Sequence, residues 1–98
     1  MAAATVTKTS YGWYVTGDTD ATTVTTDQAF VRRIIYVPQA NDNALALTDN
    51  DGTSILSTIG PDADRADVYD VGGEIGTRYL GISATLGNGA DLLYIIVR

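Results

Sequence analysis

The sequence predicts an all-β chain: a single-domain β-sandwich or jelly-roll-like barrel of about seven to eight short antiparallel strands. Three observations predict it. The chain is rich in Thr, Val, Ile, Tyr, Gly and Asp, and its acidic residues are eleven Asp against one Glu. Helices favour Glu, Lys, Gln and Leu, whereas β-branched and aromatic residues suit strands and Asp and Gly suit turns. Turn signals recur about every ten residues, and no segment offers the roughly twelve periodic positions a helix needs. With 98 residues and no internal repeat or linker, the chain is one domain.

Residues 1–10 read as an N-terminal arm or edge strand, in which Thr alternates with Val6 and Lys8; residues 11–98 form the sandwich domain. Tyr11–Thr16 alternates cleanly, with Tyr11, Trp13 and Val15 on one face and Gly12, Tyr14 and Thr16 on the other. Gly17-Asp-Thr-Asp20 is a turn, and Ala21–Thr26 is a weak Thr-rich strand around Val24. Phe30–Val37 is apolar on both sides, with Phe30, Arg32, Ile34 and Tyr36 opposed to Val31, Arg33, Ile35 and Val37. Pro38 cannot donate to a ladder and ends that strand. Asn41-Asp-Asn43 turns the chain. Ala44–Thr48 and Thr53–Ile59 flank Asp49-Asn-Asp-Gly52, whose Asp-Gly step is the strongest hairpin signal present. Gly60-Pro61-Asp62 breaks off that hairpin, Arg65–Val71 is a short strand, and Gly72-Gly73 turns again. Arg78–Thr85 and Leu92–Arg98 are expected to pair as a last hairpin across Leu86-Gly-Asn-Gly-Ala90. The closing strand is two-faced as well: Leu92, Tyr94 and Ile96 oppose Leu93, Ile95 and Val97. Such a strand must be covered on both sides, by the chain's own sheets or by another copy or partner.

Several function classes have no residues to build them. The chain has no Cys and no His, which removes disulfides, thiolate metal sites, the commonest zinc ligand and the commonest general base. A net charge of −6 disfavours nucleic acid and anionic membranes as partners. The longest apolar run, Leu92–Val97, is too short to span a bilayer, and Met1-Ala-Ala-Ala-Thr lacks the features of a secretion signal, so synthesis in a cytoplasm is expected. Asp18-Thr-Asp20, Asp49-Asn-Asp51 and Asp62-Ala-Asp64 with Asp67 offer carboxylates to calcium, but none has the spacing of a calcium-binding loop, and turn chemistry is the expected role. Glu74 reads as a solvated loop residue, not half of a glycosidase pair. Val71-Gly-Gly-Glu-Ile-Gly76 lacks nucleotide-motif spacing, and no cofactor is expected.

Two clusters remain. Tyr11-Gly-Trp13-Tyr14 either plugs the core or stacks on sugars or a partner. Arg32 and Arg33 are adjacent on a strand and so are expected on opposite faces, either snorkelling or pairing with an acid across a subunit interface. The candidate interface residues are Val6, Trp13, Arg32, Arg33, Tyr36, Tyr94 and Ile96. No residue is assigned to catalysis, a cofactor or a metal.

The Met-Ala and Thr-rich start, the strand Phe30-Val-Arg-Arg-Ile-Ile-Tyr-Val37, the hairpin Asp49-Asn-Asp-Gly52 and the close Asp91-Leu-Leu-Tyr-Ile-Ile-Val-Arg98 also form a familiar pattern. It resembles small virion proteins of tailed bacteriophages, in particular head decoration (cement) proteins. The resemblance implies a non-enzymatic β-module on the outer capsid surface, made in the host cytoplasm. Its partners would be the major capsid protein and further copies of itself as a dimer or trimer. Two alternatives stand beside it: a receptor- or carbohydrate-binding module (head fibre or tail tip) using Tyr11, Trp13 and Tyr14, or a neck or tail-tube component.

Overall fold

β-branched and aromatic runs punctuated by Gly, Asp and Asn give eight antiparallel strands in the computed structural model of the chain, which describes residues 4–39, 43–60, 65–72, 75–88 and 90–97. The strands are β1 (Thr5–Thr9), β2 (Gly12–Thr16), β3 (Thr22–Val37), β4 (Asn43–Thr48), β5 (Ser54–Gly60), β6 (Asp67–Asp70), β7 (Thr77–Leu86) and β8 (Leu92–Val97). All belong to one sheet in the order β1-β2-β8-β3-β7-β4-β5, with β6 also on β3. Among the described residues there is no helix, so the fold is all-β. The expected turns at Asn41-Asp-Asn43 and Gly60-Pro61-Asp62 lie largely outside the described residues, as do Glu74 and the Asp62-Ala-Asp64 pair.

β3 organises the molecule. Its 16 residues would run roughly 50 Å if straight at about 3.3 Å per residue, yet the longest extent of the molecule is 31 Å. The strand therefore bends. Its register against β7 shifts between Thr23 and Thr25 and again between Thr25 and Gln28, and against β8 it shifts between Val31 and Arg33. Such slips shift the side-chain phase and add twist. These slips let one strand form where the sequence predicts two, Ala21–Thr26 and Phe30–Val37. They also break the expected alternation: the buried set is Thr22 and Val24, then Ala29 and Val31, then Ile34 and Tyr36. Both arginines thereby leave the core, Arg32 half-buried at the slip and Arg33 exposed.

The bend divides the sheet into two layers. One holds β1, β2, β8, the C-terminal half of β3 and β6; the other holds the N-terminal half of β3, β7, β4 and β5. Val15, Ile34, Leu93 and Ile95 from the first layer join Val24, Leu45, Leu47, Ile82 and Leu86 from the second in one buried cluster. Each such side chain contributes about 1.5–3 kcal/mol through burial.

The final hairpin predicted by the sequence does not form. β7 and β8 flank β3 on opposite sides, since Val31 faces Thr77 on one and Val97 on the other. Ala84 lies opposite Thr22 and Leu92 opposite Val37, at the two ends of β3. The short connection from Leu86 to Leu92 spans at most about 20 Å, so it crosses from one layer to the other instead of pairing its strands. β8 is consequently central, between β2 and β3, and β1 is an edge strand. The N-terminal stretch is anchored: Ala4 is buried and its N–H donates to Thr22 Oγ1 at 2.8 Å. Residues 1–3 lie outside the described set.

A wholly buried carboxylate holds the crossover. Asp91 Oδ2 accepts the Tyr36 hydroxyl at 2.5 Å and the Asn88 N–H at 3.0 Å. Its Oδ1 accepts the Gln39 N–H at 2.7 Å and Asn43 Nδ2 at 3.0 Å. The Asp91 carbonyl accepts Thr16 Oγ1 at 2.8 Å. One residue, by its side chain and its carbonyl, thus joins the ends of β2 and β3 and the starts of β4 and β8. Tyr36, expected at an interface, is instead fully buried, because its ring fills the core and its hydroxyl finds Asp91. Burial first, then the hydrogen bond to Asp91 and its negative charge, raise that hydroxyl well above the ordinary tyrosine pKa.

The Asp49 turn shows what its aspartate does. Asp49 Oδ1 accepts the N–H groups of Asp51 and Thr53 at 2.9 and 3.0 Å, and Gly52 takes the left-handed φ of +81° that the turn requires. Among the described residues, no three acidic side chains converge as a cation site would need.

Candidate functional site

The two-faced strands β8 and β3 lie side by side, so their second apolar faces merge. Across the outer side of the first layer, cross-strand pairing sets Tyr14 against Tyr94, Tyr94 against Ile35, and Ile35 against Val68. That row runs over four strands without a charged residue. The rings of Tyr14 and Tyr94 lie 4.9 Å apart at 32°, the separation at which aromatic pairs attract. In the next row, towards the end of β8, Ile96 faces Arg33 and Arg33 faces Asp70. On the other side of the aromatic row, Leu92 faces Val37. Val68 is 58% exposed and Tyr11 is 38% exposed. A shallow depression of about 310 Å³ runs between Tyr11, Ile35, Val37, Ala66, Tyr94 and Ile96.

Glycine shapes one corner of this face. Gly12 sits opposite Ile96 with φ +149°, and a Cβ there would lie 2.0 Å from the Ile95 carbonyl oxygen. Its missing side chain lets the backbone close on β8, where the Val97 N–H donates to the Tyr11 carbonyl at 2.8 Å. Tyr11 is thereby held at the edge of the depression.

Electrostatics at this face are slight and peripheral. Arg33 and Asp70 pair at 3.5 Å with side chains 48% and 67% exposed, which makes the pair worth at most about 1 kcal/mol. It marks a polar rim beside an apolar centre, the arrangement of protein interfaces.

The opposite outer face is different in kind. There Thr85 faces Ala46 and Ala46 faces Ser57, all three exposed. Along that row one layer shows solvent small and polar side chains, with Leu80 half exposed farther along β7; the other shows it Tyr, Ile, Val and Leu.

Of the residues singled out from sequence, Tyr94, Ile96 and Arg33 meet on the apolar face. Val6 and Trp13 do not join them: both pack inward against the core, on the other side of the same layer. Arg32 sits at the β3 slip, where its carbonyl accepts the N–H groups of Val71 and Gly72 at 2.9 and 3.2 Å. Tyr36 belongs to the interior. Sequence reasoning put Ile35, Val37 and Leu92 in the two-faced strands and Tyr14 in the aromatic cluster, but did not join them on one face and did not single out Val68. The alternation of Leu92, Tyr94 and Ile96 was the available signal, but strand order was needed to add their neighbours. No family model, curated protein or solved structure matches this chain.

Proposed function

We propose that this chain is a non-enzymatic structural protein of a phage particle, a head decoration protein that docks on the major capsid protein through the apolar face of its first layer. One observation carries the reading: a continuous row of large apolar side chains crosses four strands on one outer face, whereas the Thr85-Ala46-Ser57 row of the other is small and polar and Leu80 stands exposed there singly. Single exposed apolar residues are ordinary on protein surfaces, but a contiguous patch with a polar rim is the mark of a docking surface. The net charge of −6 suits a partner surface remote from packaged nucleic acid.

In this reading each copy adds a modest contact, and the symmetry of the shell repeats it many times. Binding to the assembled shell in preference to free subunits stabilises the shell by mass action. Assembly of copies into a dimer or trimer would raise avidity further.

Co-sedimentation with assembled capsids tests this. The wild-type chain is expected to pellet with shells, Tyr94→Lys or Ile96→Lys to stay in solution, and Thr85→Lys on the polar face to bind normally. A folded wild-type chain that neither self-associates nor binds shells overturns the reading, as does equal binding by all variants.

A further inference from the structure

Beyond the docking face, the molecule holds a second feature on its inner side. Where β3 parts from β8, the layers leave a cleft of about 460 Å³. Trp13 and Val97 of the first layer and Phe30 of β3 line it, and Thr25, Asp27 and Gln28 form its polar side. The polar side is the bulged stretch of β3, between the slips at Thr23 and Gln28. Bulges re-aim side chains and recur next to functional sites. The rim is pinned locally: the Asp27 N–H donates to Thr25 Oγ1 at 3.1 Å, and Arg78 Nε donates to Gln28 Oε1 at 2.6 Å. With its oxygen engaged by Arg78, Gln28 has its amide nitrogen left to donate. Lys8 lies over Trp13, its Nζ 4.4 Å from the ring centroid.

We propose that this cleft binds a short neutral saccharide. Its volume falls in the range of small-ligand sites, roughly 300–1,000 Å³, which favour such mouths between β layers. The lining pairs the Trp13 ring, suited to the C–H face of a sugar ring, with a carboxylate, an amide and a hydroxyl that together accept and donate hydrogen bonds to sugar hydroxyls. Lys8 and Asp27 place opposite charges at the same opening, so a charged ligand loses to one what it gains from the other. A neutral polyol, with donors and acceptors on one ring, uses both. The Lys8 contact to Trp13 is an exposed cation–π pair, weak enough to yield to a ligand. This site does not rest on the virion role and stands or falls separately from it.

Trp13 is the only tryptophan, so its emission reports the cleft directly. The intact chain is titrated with glucose, galactose, N-acetylglucosamine and their β-linked disaccharides. At least one should give a saturable change with a Kd on the order of 1 mM. Asp27→Asn and Gln28→Ala, at exposed positions, should each weaken binding roughly tenfold, the loss expected for one charge-assisted or well-placed hydrogen bond, while circular dichroism stays unchanged. Tyr94→Lys, on the outer face, should bind normally. Three results overturn the proposal: no saturable response to any of these sugars, binding that survives both cleft substitutions, or tighter binding of glucuronic acid than of glucose.

Discussion

Replacing Asp91 by alanine should be among the most damaging single substitutions in this protein. The carboxylate is wholly buried and accepts four hydrogen bonds, from Tyr36, Gln39, Asn43 and Asn88. Hydrogen bonds to a charged group contribute about 1.5–3 kcal/mol each, but the four are not additive, because donors near the surface recover water once the carboxylate is gone. The Tyr36 hydroxyl, fixed to a fully buried ring, keeps only a long 3.4 Å contact to the Ala44 carbonyl. A loss of about 3–5 kcal/mol follows, the cost of leaving buried donors poorly satisfied where the chain crosses between the layers. Against a total stability of about 5–15 kcal/mol, that is a large share. Urea unfolding followed by Trp13 fluorescence measures it: with m near 1.5 kcal/mol/M, the midpoint should fall by roughly 2–3 M. Asp91→Asn, which keeps one acceptor, should fall in between. Asp70→Asn, at an exposed rim pair, should move by less than about 0.5 kcal/mol. A loss below about 1 kcal/mol for Asp91→Ala would refute the idea that this carboxylate secures the crossover.

Two further outcomes follow from the same geometry. Because Tyr36 has a raised pKa in the folded state, its contribution to stability is fully present below the ordinary tyrosine value of about 10 and is lost as pH rises through the folded pKa; Tyr36→Phe should abolish that alkaline component of the stability curve, and absorbance titration should show the Tyr36 and Tyr79 hydroxyls, both raised by burial, ionising above the ordinary tyrosine value. Gly12→Ala must place a Cβ 2.0 Å from a backbone oxygen at φ +149°, so it should cost more than about 2 kcal/mol by thermal unfolding, unlike Ala46→Ser on the exposed polar face, which should be near neutral.

The local chemistry of the strands was legible because it depends only on neighbours in the chain. Thr, Val, Ile and Tyr runs broken by Asp, Asn and Gly announce short strands, and Asp49-Asn-Asp-Gly52 turns where its residue types say it must. The two-faced pattern of Leu92–Val97 was visible in the same way. What was not legible were the slips in β3. Alternation counted along Phe30–Val37 puts Arg32 with Ile34 and Tyr36, but the slip between Val31 and Arg33 depends on β8 lying alongside, which no local rule reports. The same gap hid Asp91. Its partners are 48 to 55 residues away in Asn43, Gln39 and Tyr36, so an aspartate before a strand looked like any other turn residue.

By itself, then, the sequence determined an all-β chain of short strands with two segments apolar on both faces, because propensity and period-two alternation are written residue by residue. The tertiary structure alone decided that those two segments are neighbours, that β7 and β8 straddle β3 instead of pairing, and that the second apolar faces merge into one surface. Those outcomes depend on where a 16-residue strand bends to fit a molecule 31 Å long, and on a buried carboxylate that fastens the crossover by contacts far apart in the chain.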